Sequence, residues 1–259
     1  MPGVKPIADG TETMLEEAMM LLENKHAVIY GAGGPIGAAV ARAFAREGAR
    51  VSLAGRTRAK LDELAREIAT ASGDVAEIAQ VDALEGEAVQ RHADRLVEEV
   101  GAIDICFNAV GDETTFGRLM ELPFADFVRP VTRLVTAQFL IASAVARHMI
   151  DRNSGVILTM TGSGVPTAGM GGAMTAWAAV DALCGQLARE LGQYGIRVLW
   201  LRSNGVTTDG EDPTERARSM LNRLASPGDV ANVASFLASE QAATMTATAA
   251  NITSGAEVG

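Results

Sequence analysis

The segment His26-Ala27-Val28-Ile29-Tyr30-Gly31-Ala32-Gly33-Gly34-Pro35-Ile36-Gly37 joins an apolar, β-rich run to a glycine turn and then to an alanine-rich stretch of helical period. A strand that turns straight into a helix leaves the first helical N–H groups unpaired at the positive end of the helix dipole, and glycines let a pyrophosphate approach that backbone. Placed after a first strand and before a helix, the turn is expected to cradle the diphosphate of a dinucleotide.

Short β-rich runs continue outward from this unit at Arg50 to Ala54, Val75 to Val81, Ile103 to Asn108, Gly155 to Met160 and Ile196 to Arg202, with a seventh near Ala249 to Ile252. Stretches of helical period separate them at Ile36 to Glu47, Arg58 to Ala71, Leu84 to Val100, Phe124 to Ile150, Thr175 to Gln193 and Asp229 to Ser239. This alternation predicts an α/β chain with a Rossmann-type, doubly wound, seven-stranded parallel sheet and helices on both faces. Residues 1–24 read as an N-terminal extension, in which Thr13 and Glu16 form a candidate capping box, and residues 25–259 as a single domain.

With 259 residues, 48% of them hydrophobic, the chain is long enough to bury one large core. A net charge of −10 without a basic patch argues against a nucleic-acid partner, because an acidic surface repels a phosphate backbone. The two cysteines, Cys106 and Cys184, lie in apolar and helical runs and suggest neither a disulfide framework nor a metal site. No apolar run reaches the roughly 18 to 20 residues needed to span a bilayer, and the first twenty residues carry acids, so the expected location is cytoplasmic with no membrane partner.

A carboxylate at the end of the second strand would accept a hydrogen bond from a ribose 2′-hydroxyl and repel a 2′-phosphate. Here Val51-Ser52-Leu53-Ala54 runs into Gly55-Arg56. Gly55 leaves room, and Arg56 can meet a phosphate with a charge-assisted hydrogen bond, so the expected cofactor is NADP(H).

Several motifs together resemble the short-chain dehydrogenase/reductase family, from about Lys25 to Gly255. Gly31 to Gly37 is similar to its Gly-x-x-x-Gly-x-Gly turn, with Pro35 in place of the middle glycine. Asn108-Ala109-Val110-Gly111 is similar to its Asn-Asn-Ala-Gly motif, and Tyr194-Gly195-Ile196-Arg197-Val198 to its entry into strand six. The resemblance implies that Asp82 and Ala83 flank the adenine and that Val206 and Thr208 hold the nicotinamide carboxamide. With Gly31, Gly33, Gly34, Pro35, Ile36, Gly37, Arg56, Asn108 and Ala109, these residues make up the expected cofactor site.

The same resemblance implies a catalytic Asn-Ser-Tyr-Lys set, and the sequence departs from it. Counting from Leu187-Ala188-Arg189-Glu190-Leu191, the tyrosine and lysine positions fall on Ala173 and Trp177. The asparagine position falls on Leu134, and the serine position within Thr161-Gly162-Ser163. A ketone reduction needs a proton at oxygen as hydride reaches carbon, and alanine and tryptophan cannot supply it. Thr161 and Ser163 are therefore the candidate catalytic hydroxyls. Loop carboxylates at Asp112, Glu113, Asp209, Glu211 and Asp212 are expected to be solvated, and His26, His92 and His148 lie away from the strand ends.

Leu134, Met160, Met170, Met174 and Trp177 are expected to converge on the nicotinamide and to favour a bulky, hydrophobic or aromatic group, the expected partner being a small hydrophobic substrate molecule. The implied activity is an NADP(H)-dependent oxidoreductase with an altered site, acting on a hydrophobic carbonyl, imine or activated alkene. Two alternatives stay open: a cofactor-binding sensor or assembly protein, and a non-redox isomerase or lyase. The resemblance also implies a homotetramer paired through the two long helices.

Overall fold

Along a parallel strand successive side chains face opposite sides, and the buried residues divide accordingly into two layers. The computed structural model describes residues 20–73, 75–111, 113–207 and 216–257. Its strands are β1 (His26–Tyr30), β2 (Arg50–Gly55), β3 (Glu77–Gln80), β4 (Ile105–Asn108), β5 (Gly155–Gly162), β6 (Ile196–Ser203) and β7 (Thr248–Asn251). The helices between them are α1 (Pro35–Arg46), α2 (Arg58–Ser72), α3 (Gly86–Val100), α4 (Phe124–Arg152), α5 (Ala173–Leu191) and α6 (Pro227–Ala238).

The strands form one seven-stranded sheet in the order β3-β2-β1-β4-β5-β6-β7, every pair parallel. On one face Val28, Cys106, Ile157 and Val198 pack under α3, α4 and α5; on the other Ile29, Leu53, Leu158 and Leu199 pack under α1, α2 and α6. Strand order reverses between β1 and β4, which opens a crevice at their carboxyl ends, where an open α/β sheet binds ligands.

The elements fall within a few residues of their expected places. β3 is shorter than predicted, because Val75 lies 80% exposed beyond its amino end. α5 begins at Ala173 and closes with a short 3-10 turn over Gly192–Tyr194. Leu22 is fully buried against the α1 and α6 layer and its N–H donates to the Glu47 carbonyl, so the end of the expected extension is tied into the core. The capping box expected at Thr13 and Glu16 lies outside the described residues. No helix among the described residues is long and apolar enough to cross a membrane.

Tyr30, at the end of β1, is buried and shares a 2.9 Å hydrogen bond with His92 Nδ1 on α3, the rings meeting edge to face. Burial holds the His92 imidazole at about 4, below its ordinary 6.5. Between those values the unfolded chain binds a proton that the folded chain refuses, so this contribution to stability is complete above pH 6.5 and lost as pH falls toward 4. Across that window the protein should lose about 3 kcal/mol more stability than its His92→Phe variant, measured by urea unfolding at successive pH values.

Candidate active site

The glycine turn after β1 is fixed by contacts that admit no side chain. Gly31 lies at φ 81°, and a Cβ there would come 2.6 Å from the Ala109 carbonyl oxygen; one on Gly37 would come 2.4 Å from the Gly31 carbonyl oxygen. These two residues press the turn against the end of β4 and the start of α1. Gly33 and Gly34 have nothing nearer than 3.4 Å, so their backbone stays open to a ligand. Gly34 caps α1 without a side-chain hydrogen bond and Pro35 occupies its first turn, leaving the helix dipole for an anion.

A cleft of about 250 Å³ extends from this turn, between Gly31, Gly33, Gly34 and Ala109 on one side and Arg56, Asp82 and Ala83 on the other. Asp82 shapes the far wall by accepting the Leu84 N–H at 3.0 Å. Asn108 is buried behind the cleft, donating to Gln138 Oε1 at 2.8 Å and accepting the Val110 N–H at 3.0 Å, which fixes the turn after β4. The open glycine backbone, the uncapped helix end and the length of the cleft fit a dinucleotide diphosphate with its adenosine toward Arg56.

Arg56 lines this cleft together with Thr57 and Lys60. Its guanidinium also meets Glu113 at 3.1 Å, and Arg133 reaches the same carboxylate at 3.2 Å while donating to the Gly111 carbonyl at 2.8 Å. Lys60 and Arg133 are cations that the sequence reading did not single out. Lys60 follows Arg56 by four residues, a spacing that can signal a shared site, whereas nothing local marks Arg133.

A second cavity, of about 410 Å³, adjoins the cleft across Ala109 and Val110. Leu134, Met160, Met170 and Trp177 line it as expected, joined by Ile36 and Phe116. Met174 instead lines a separate surface groove beside Leu119 and Met120, because it lies on the outer side of the first turn of α5. The roof is two loops tied together, with the Gly117 N–H donating to the Gly169 carbonyl at 2.8 Å. Val206 lies on the rim; Thr208 and the carboxylates at positions 112, 209, 211 and 212 lie outside the described residues.

Gly162 and Trp177 fit one another. A Cβ on Gly162 would lie 2.2 Å from Trp177 Cδ2, over the face of the indole at its fused bond, so the ring occupies the space that any side chain at 162 would need. Ala173 is fully buried and Leu134 nearly so. Among the described residues lining the cavity none is ionisable.

The two candidate hydroxyls lie behind the cavity wall. Ser163 donates to Glu257 Oε2 at 3.1 Å and is not among the lining residues. Thr161 contributes to the lining, but its Oγ1 is buried and turned toward the carboxylate of Asp181 on α5. Arg202 donates through Nε to Asp181 Oδ2 at 2.8 Å and through Nη1 to Glu257 Oε1 at 3.3 Å. Burial pushes the Asp181 carboxyl up from its ordinary value, while Arg202, and then Thr161 and Trp200, pull it down. Both cysteines are buried, and burial raises the Cys184 thiol to about 12 and Cys106 further still, so neither is a thiolate nucleophile.

The comparisons with known proteins agree with this architecture. Residues 31–257 match the family model described as enoyl-(acyl carrier protein) reductase. The chain is 30% identical over 257 residues to 2,3-dihydro-2,3-dihydroxybenzoate dehydrogenase of Bacillus subtilis (strain 168), which covers 92% of this chain and 98% of that protein. It is 33% identical over 251 residues to secoisolariciresinol dehydrogenase of Forsythia intermedia, covering 90% and 88% respectively. A short-chain type dehydrogenase/reductase from Mycobacterium marinum superposes with a TM-score of 0.86 at 29% identity, over 93% of this chain and 98% of that one. The chain belongs to the short-chain dehydrogenase/reductase family, whose fold binds a nicotinamide dinucleotide and carries oxidoreductase chemistry.

The packing of Gly162 on Trp177 gives a direct test. Gly162→Ala should destabilise the protein by about 1 to 3 kcal/mol through overpacking, and less than half of that should remain in a Trp177→Leu background. A double-mutant cycle by urea denaturation measures the coupling.

Proposed function

We propose that this protein is an NADP(H)-dependent oxidoreductase whose active site lacks the Asn-Ser-Tyr-Lys set of its family and acts on a small hydrophobic carbonyl, imine or activated alkene. One observation carries the reading: the cavity beside the dinucleotide cleft has no ionisable side chain among its described lining residues, and Leu134, Ala173 and Trp177 stand where the resemblance puts three of the four roles. The serine role falls on Gly162, whose missing side chain makes room for the indole.

When bound, the reduced coenzyme supplies hydride. The chain's own residues hold it through the Gly33-Gly34 backbone and the α1 amino end, and Arg56 with Lys60 receives the ribose 2′-phosphate. The Arg56–Glu113 pair is half exposed, so exchanging that carboxylate for a phosphate costs about 1 kcal/mol or less. The apolar walls of the second cavity orient the substrate and exclude water. Thr161 and Ser163 support that wall from behind through Asp181 and Glu257.

A second reading, a coenzyme-binding sensor that transfers no hydride, is favoured by the same lack of an acid. It requires that NADP⁺ and NADPH bind with different affinities and that this difference alter assembly. Assembly as a homotetramer through α4 and α5 is part of the proposal. Phe139 is 53% exposed on α4, and Ala178 and Ala182 present small exposed side chains on α5. Light scattering at micromolar concentration should give the tetramer mass; a monomer would remove this part of the proposal.

Arg56→Ala should weaken NADPH binding by about ten- to a hundredfold and leave NADH binding within a factor of about two, because only the phosphate contact is removed. Calorimetric titration with both coenzymes checks it; equal losses for the two would show that Arg56 does not read the 2′-phosphate. NADPH oxidation against a panel of hydrophobic ketones, imines and activated alkenes tests turnover. Tight NADPH binding with no turnover of any class would favour the sensor.

A further inference from the structure

We propose that the substrate of the second cavity is a cation, an iminium ion whose carbon accepts hydride and whose nitrogen needs no proton. The inference rests on the oxidoreductase reading above and narrows its substrate class.

A ketone becomes an alkoxide as hydride arrives, so a site that reduces ketones must offer donors and positive charge to oxygen. Among its described lining residues this cavity offers no positive charge; of its side-chain hydroxyls, that of Thr161 is buried and that of Ser203 is spent on the Gly205 carbonyl at 2.8 Å, which leaves the Asn204 amide and the Trp177 N–H as neutral donors. Where the family resemblance puts a lysine ammonium there is the indole of Trp177, whose π face attracts cations. The ring is held in place because one face of it, at the fused bond, lies against Gly162, where no side chain would fit between ring and β5.

The charge behind the wall has the same sign preference. Beneath Thr161 and Ser163 the single guanidinium of Arg202 is shared by two carboxylates, Asp181 and Glu257. Their side chains are only 15% and 11% exposed, against 29% for Arg202, so the cluster places a surplus negative charge, weakly screened, next to the cavity. The net charge of −10 adds a long-range attraction for cations. A site with an aromatic face, buried carboxylates behind its wall and no cation among its described lining residues is better matched to an iminium ion than to a developing alkoxide.

The chemistry balances without an acid. The iminium carbon gains a C–H bond from the hydride of the reduced coenzyme, the C=N π pair becomes the nitrogen lone pair, and a neutral amine results. The same two electrons leave the coenzyme oxidised. Any later protonation of the amine takes place in solvent, so the missing tyrosine and lysine are not needed.

Three probes of matched shape test this: protonated dihydroisoquinoline, the fixed cation N-methyl dihydroisoquinolinium, and neutral tetralone. The NADPH-loaded protein should reduce both cations with kcat/KM at least about tenfold above that for tetralone. Independently of turnover, calorimetry should show the saturated N-methyl tetrahydroisoquinolinium ion binding at least about tenfold more tightly than neutral tetralin. Trp177→Leu should abolish most of that preference and Trp177→Phe, which keeps an aromatic face, should retain it. NADPH affinity, measured on each variant, shows whether the scaffold is intact.

Cations bound and reduced no better than the neutral probes would overturn the inference. Reduction of tetralone with the cations ignored would overturn it while leaving the oxidoreductase reading in place. Tight NADPH binding with no probe reduced, in contrast, would remove that reading and the inference together.

Discussion

The dinucleotide cleft depends on the close approach of the turn after β1 to the end of β4. With Gly31 seated against the Ala109 carbonyl and Gly37 against Gly31, the backbone of two neighbouring parallel strands converges where the strand order reverses. That contact fixes the α1 amino end over the crevice, leaves Gly33 and Gly34 as the open part of the turn, and sets Ala109 as the wall shared by both cavities. A Cβ at either tight position would separate β1 from β4 or displace α1, and the dinucleotide cleft would lose its floor.

A second pair of residues decides what the neighbouring cavity can do. Trp177 can occupy its place only because residue 162 has no side chain, so the two residues act as one structural unit. Together they give the cavity a flat aromatic wall. Around them Leu134, Met160, Met170 and Phe116 make most of the chamber apolar, with Ser203 and Asn204 on its wall, while the charged groups nearby, Arg202, Asp181 and Glu257, are joined to one another behind β5.

How legible this was in the sequence differs between the two ends. Periodicity placed each strand and helix to within a few residues, because alternation and helical period follow directly from burial on the two faces of a parallel sheet. The glycine turn was legible because backbone approach excludes every other residue there. Met174 was misplaced because sequence adjacency to Met170 says nothing about which way a residue faces in the first turn of a helix. Thr161 and Ser163 carried hydroxyls at the right strand end, yet their direction depends on Asp181 from α5 and Glu257 near the carboxyl end, partners about 20 and 94 residues away. Lys60 and Arg133 joined the cleft for a similar reason: each needed the packing of a helix against a loop before its position had meaning.

The sequence by itself determined the sheet, the order of its elements and the glycine turn after β1, since these follow from local patterns of burial and backbone freedom. Tertiary structure alone decided that Gly162 and Trp177 interlock, that both candidate hydroxyls are turned away from the cavity, and that one arginine is shared by two carboxylates behind its wall. The physical reason is that contacts between distant segments, not residue identity, set the direction of a side chain and hence the sign of charge that a cavity presents.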